Sequence, residues 1–173
     1  FKIAFDSNYR PNLWKSRHFA QLNIERAFRC SNIALPSLDD QIKLTSFKTE
    51  AEVVNWFYQN NINQTVLKRG SLGPRLIGEI NENCIFPSEP NVVDSTAAGD
   101  SFNAGFLAAH FMGESLSNSA RHGHDLAKVV IAHLSLKISE IFKILDFKGP
   151  FQKKIPAIFL PTTHGTASEV TMW

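Results

Sequence analysis

Along the 173 residues, short apolar runs alternate with amphipathic stretches, the layout of an α/β protein. Lys2-Ile3-Ala4-Phe5 ends in Asp6-Ser7-Asn8 and then Pro11, which predicts a buried strand running out into a polar loop. In open α/β sheets that end of a strand is where ligands sit. Residues 16–29 carry Phe19, Leu22, Ala27 and Phe28 on a rough helical face, and 32–35 read as a second strand, so a βαβ unit is expected. Ser37-Leu38-Asp39-Asp40 and Thr49-Glu50-Ala51-Glu52 both have the spacing of capping boxes, the second opening a helix with Val53, Trp56 and Phe57 on one face. A strand at 64–68 leads through Gly70, Gly73 and Pro74 to 75–79, which with 84–86 has the pattern of a hairpin. Val92-Val93-Asp94 runs into Ser95-Thr96-Ala97-Ala98-Gly99-Asp100, followed by a largely buried helix carrying Phe102, Ala104, Phe106, Leu107, Ala108 and Ala109. A second helix is expected over 116–133, a further one over 134–145, and a strand over 155–160.

Composition narrows the function classes. Lys and Arg number 18 against 16 Asp and Glu, a net charge of +2, so no field exists to drive binding of nucleic acid or an anionic membrane. No apolar run approaches the roughly 18 residues of a membrane span. Cys30 and Cys84 stand far apart with no CxxC or Cys/His cluster, which suggests neither a disulfide framework nor structural zinc and fits a reducing cytoplasm. The chain starts inside a strand pattern and stops after a motif-like segment, so a piece of something longer is expected.

The chemistry concentrates at Asp94-Ser95-Thr96-Ala97-Ala98-Gly99-Asp100-Ser101-Phe102. Small residues let the backbone turn tightly from strand to helix with its N–H groups free, and such a helix start binds anions. Phosphate there would be held by the amides of Ala97, Ala98 and Gly99, while the Asp100 carboxylate could take a proton from an attacking hydroxyl. Spacing alone fits equally well a packed helix start with Asp100 as a dipole-stabilising charge.

This stretch resembles the D-T-x-G/A-A-G-D-x-F signature of the ribokinase-like (PfkB) carbohydrate kinases. Two more segments match in order: Lys68-Arg69-Gly70-Ser71-Leu72-Gly73 is similar to the family's K-x-G-x-x-G nucleotide loop, and Phe5-Asp6-Ser7-Asn8-Tyr9-Arg10-Pro11-Asn12-Leu13-Trp14 to the F-D-x-N-Y-R-P-x-L-W of its 2-keto-3-deoxygluconate kinase branch. The resemblance covers residues 1–133. It implies a three-layer α/β/α ribokinase-like sheet, here the C-terminal half only, and ATP-dependent phosphorylation of a sugar acid. It makes Asp100 the base, with Ala97, Ala98 and Gly99 as the anion hole. It assigns Arg10 to the substrate, where a guanidinium fork suits a carboxylate, against the alternative of an ordinary salt bridge. Asn8 would lie near the nucleotide phosphates, and Lys68, Gly70 and Gly73 would form the nucleotide loop, against a plain hairpin turn. Asp40 stands where relatives carry the acid of N-x-x-E that organises water around Mg2+, with a helix N-terminal charge as its alternative. His124 matches an adenine-facing position, with packed structure as its alternative. Magnesium would be held mainly through the ATP phosphates.

After His133 the kinase pattern stops. Residues 155–172 resemble the P-T-T-x-G-T-x-S-E-V-T segment of iron-containing alcohol dehydrogenases, without that family's phosphate loop or metal ligands, so residues 134–173 are expected to be an unrelated tail. Two rivals to a kinase follow: a nucleotide-binding fragment without catalysis, and a remnant of an NAD- and metal-dependent dehydrogenase. Half a sheet leaves an unpaired edge, so weak stability or homo-oligomerisation is expected.

Overall fold

The computed structural model describes residues 2–62, 64–78, 86 and 97–132. They divide into two compact units. One contains 2–69 and 75–78, the other 70–74, 86 and 97–132.

The first unit is built on a four-stranded sheet in the order β1-β2-β3-β4. The strands are β1 (Ala4–Phe5), β2 (Ile33–Ala34), β3 (Gln64–Leu67) and β4 (Arg75–Gly78). β1, β2 and β3 are parallel and β4 is antiparallel to β3, with Leu67 opposite Arg75 and Gln64 opposite Gly78. Helix α1 (Arg17–Cys30) crosses from β1 to β2, and α2 (Leu38–Leu44) and α3 (Glu50–Gln59) cross from β2 to β3, as parallel pairing demands. Ala20, Ile24 and Phe28 of α1, Leu44 of α2 and Val53, Val54 and Phe57 of α3 share one core with Ala34, Leu67 and Ile77 of the sheet. Phe28 is its hub, edge-on to Phe5, Trp56 and Phe57 at 5.0, 6.5 and 5.2 Å between ring centres. Ile33, Val66 and Leu76, which alternate with the sheet's core residues, are also buried, so the sheet is apolar on both faces.

Two expectations need correction. The buried face of α1 is Ala20, Ile24 and Phe28, with Phe19 and Leu22 exposed at 47% and 54%. Of the predicted stripe Phe28 is buried as expected, while the buried face runs from it through Ile24 and Ala20. At the head of α2, Ser37 makes no side-chain cap bond, whereas Thr49 and Glu52 form the full reciprocal box at the head of α3. The residue that would complete the first box, Asp40, spends its carboxylate on the Tyr9 N–H instead. β4 pairs with β3, through a hairpin closed by residues 68–74. Residues 79–85, on which the hairpin predicted between 75–79 and 84–86 rests, lie outside the described ones.

The second unit holds α4 (Ala98–Phe111) and α5 (Leu116–Ala132). They pack through small residues. A side chain on Gly105 would stand 2.7 Å from the His122 carbonyl oxygen, and one on Gly123 2.7 Å from that of Phe102. Phe102, Phe106, Leu107 and Ala109 are buried, but Ala104 faces out. The tail expected over 134–173, with its helix and strand, lies outside the described residues.

Candidate active site

In the first unit the sequence-predicted residues gather where β1, β2 and β3 end. Lys68 follows β3 directly, and its backbone continues the sheet: its N–H donates to the Pro36 carbonyl and its carbonyl accepts from Leu38, both at 2.8 Å. That second bond ties the first turn of α2 to the end of β3. Asp6 follows β1, and its Oδ2 forms an ion pair with Lys68 Nζ that spans the end of the intervening β2. Its other oxygen accepts the Asn8 N–H at 3.1 Å, an Asx turn. Asn8 takes a left-handed φ of 36°, a conformation asparagine tolerates better than most residues. The turn delivers the Tyr9 N–H to Asp40 Oδ2 at 3.2 Å and buries the Tyr9 ring.

Asp6, Asn8, Asp40 and Lys68 therefore form one polar cluster, with the exposed Arg10 beside it. Burial, then the neighbouring Asp6 charge, pushes the Asp40 carboxyl above its usual range; Arg10, the Tyr9 N–H and Lys43 pull the other way. Within the same loop Ser7 is buried with its Oγ unpartnered among the described residues. Two carboxylates, a lysine, an arginine and a spare hydroxyl suit phosphate oxygens and a hydrated divalent cation. Among the described residues no group of three His, Cys, Asp or Glu side chains could hold a metal directly, so the Asp6–Asp40 pair fits contact through water.

In the second unit, Ala97 adopts a left-handed φ of 62° immediately before α4. Ser101 closes the first turn onto the Ala97 carbonyl at 2.9 Å. The N–H groups of Ala98, Gly99 and Asp100 precede the first intrahelical bond, and the Asp100 carboxylate is exposed in that first turn. Gly70 and Gly73 take φ of 56° and 73° in the loop at 70–74. A side chain on Gly73 would stand 2.9 Å from Phe86, whereas one on Gly70 would meet open space. Phe86 is in turn packed at a tilt of 54° against His124, 5.0 Å between ring centres, with the Arg121 guanidinium 5.9 Å from the Phe86 ring centre. His124 is buried at 8% exposure in this packing.

Sequence reasoning missed the Asp6–Lys68 pair, although both residues directly follow strand patterns. It also missed Glu50, whose Oε1 accepts from Arg69 at 3.0 Å and Arg75 at 2.8 Å. Phe86 gave no signal, being read as a strand residue.

A family model described as pfkB family carbohydrate kinase matches residues 1–141. The 2-dehydro-3-deoxygluconokinase of Escherichia coli (strain K12) is 35% identical over 136 residues, which cover 76% of this chain and 44% of that protein. The enzyme of the same name from Haemophilus influenzae is 36% identical over 146 residues, covering 81% and 46%. The chain thus spans about half the length of the curated relatives it matches. The crystal structure of a fructokinase from Vibrio cholerae O395, with fructose, ADP and calcium ion bound, superposes with a TM-score of 0.71 over 83% of this chain and 50% of that one, at 16% sequence identity. At that identity the likeness establishes the fold, which is ribokinase-like.

Proposed function

The chain belongs to the pfkB family of carbohydrate kinases, and on that premise we propose that it carries the nucleotide-binding and proton-accepting part of a cytoplasmic, ATP-dependent kinase acting on 2-keto-3-deoxygluconate. That compound is the 2-dehydro-3-deoxygluconate in the relatives' name. The observation that carries this reading is the opening of α4, where three helix-start N–H groups and an exposed carboxylate, Asp100, follow a left-handed Ala97.

Each residue then has a task. Asp100 accepts the proton of the sugar hydroxyl as that oxygen bonds to the terminal phosphorus of ATP and the bridging oxygen leaves with ADP. Ala98, Gly99 and Asp100, with Ala97 turning the chain before them, offer backbone N–H groups to the charge that grows on the transferring phosphoryl group. Arg10 binds the substrate carboxylate with its fork, and Asn8 and Lys68 hold phosphate oxygens. The backbone at Gly70 and Gly73 approaches the nucleotide, and His124 supports the adenine side through Phe86. Asp40 would order water around a magnesium ion held through the ATP phosphates, and such an ion would supply charge neutralisation. Residues 1–133 are the kinase portion in this reading and 134–173 a separate tail.

ADP release by the purified chain with Mg-ATP and 2-keto-3-deoxygluconate tests it, beside an Asp100→Asn control. Turnover should fall by about a hundredfold or more in the control, the scale of losing a general base. The chain's half-length against its relatives favours a second reading, nucleotide binding without turnover. ADP binding with no product in any condition would select it.

A further inference from the structure

The residues flanking the 70–74 loop are both arginines, and both donate to the same atom. Arg69, directly before the loop, and Arg75, directly after it, reach Glu50 Oε1 through their Nη1 atoms at 3.0 and 2.8 Å. All three side chains are mostly buried, at 13%, 24% and 23% exposure. Glu50 is the first residue of α3, whose capping box is made by Thr49 and Glu52 without it. One carboxylate oxygen therefore closes the neck of the loop from the start of a helix. Removing it takes away the acceptor that ties the two guanidinium groups, and with them the loop's two ends, to one point. Within the loop, Gly70 and Gly73 lie in the left-handed region, which glycine adopts without steric cost.

We propose that Glu50 is a positioning residue, which pins both ends of the 70–74 loop through Arg69 and Arg75 and so sets that loop's affinity for nucleotide phosphate. This rests on reading 70–74 as the nucleotide loop. The gain is preorganisation: a loop whose ends are already set loses less freedom on binding. A competing role, merely fastening α3 to the β3–β4 hairpin, predicts stability effects and no selective effect on nucleotide.

The test is calorimetric titration of ADP into the full 173-residue chain, with an unfolding midpoint for every variant. Glu50→Ala should weaken ADP about tenfold, and Glu50→Gln, which keeps shape and one acceptor, by less. Thr49→Ala, which removes the cap of the same helix but leaves the neck, should lower the midpoint and leave ADP affinity unchanged. Adding Glu50→Ala to an Arg69→Ala/Arg75→Ala double variant should cost no further affinity. Equal ADP binding by Glu50→Ala and the unsubstituted chain overturns the inference, as does an affinity loss that Thr49→Ala reproduces. Failure of the unsubstituted chain to bind ADP overturns the nucleotide-loop reading itself, and is seen before any variant is made.

Discussion

At the residue scale the carboxylates divide into two groups with opposite dependence on pH. Asp40 is pushed above its ordinary 3.8, first by burial and then by Asp6, so the folded state holds its proton more tightly than the unfolded chain does. That term is absent below pH 3.8 and costs stability as pH rises through the raised value, leaving the full cost at pH 7. Asp40→Asn, whose amide oxygen can still accept from Tyr9, should therefore unfold at higher denaturant than the parent at pH 7, with the gap closing towards pH 4. A variant less stable than the parent at pH 7 would contradict this. Glu50 behaves oppositely: burial alone would raise its carboxyl, but the hydrogen bonds from Arg75 and Arg69 carry it below 4.5. Glu52 is lowered by the backbone N–H groups of Lys48 and Thr49. Stability from these two is present above about pH 4.5 and lost as pH falls, which an acid titration of Glu50→Gln against the parent should reveal as a flatter curve. The Thr49–Glu52 box was legible in the sequence, because capping has a fixed spacing, whereas the same spacing at Ser37 and Asp40 forms no box. The Tyr9 N–H as the partner of Asp40 was not legible, since it depends on a left-handed Asn8 that no pattern announces.

At the scale of elements, the pairing of α4 with α5 turns on two glycines that approach backbone rather than flexible side-chain ends. A methyl at either position gains up to about 1 kcal/mol of helix propensity. It also overlaps a carbonyl 2.7 Å away, an overpacking worth about 1–3 kcal/mol, so the clash should win. Gly105→Ala and Gly123→Ala are each expected to lower the unfolding free energy, measured by urea titration followed by circular dichroism. The sequence announced these helices through their apolar residues and left the glycines silent, because a close helix approach involves two elements while periodicity describes one. The same limit explains α1. Its helical period was readable, but the buried stripe runs through Ala20, Ile24 and Phe28 and leaves the larger Phe19 and Leu22 exposed.

At the scale of the whole molecule, the order of strands and the motifs at their ends were readable, since a parallel sheet writes its strands as apolar runs and its site as polar residues just beyond them. The pairing of β4 with β3 was not, because the turn residues between them were read only as a link to the next segment. Exposed apolar side chains at Ile3, Leu13, Phe19 and Leu22 belong to the first unit, where β1 forms one edge of the described sheet. Concentration-dependent self-association is expected in sedimentation, and Phe19→Ser with Leu22→Ser should diminish it; unchanged association would exclude this surface. The aromatic hub around Phe28 has an optical consequence. Of the chain's tryptophans, Trp14, Trp56 and Trp173, the first two lie in the first unit, Trp56 edge-on to Phe57 at 4.9 Å with the Arg29 guanidinium 5.7 Å from its ring. The described part of the second unit contains none. In a Trp173→Phe chain, indole emission therefore reports the sheet unit, while the far-ultraviolet helix signal also reads α4 and α5. Superimposable melting curves from the two probes would mean that the units unfold as one cooperative body, and separated curves that each keeps its own thermodynamics.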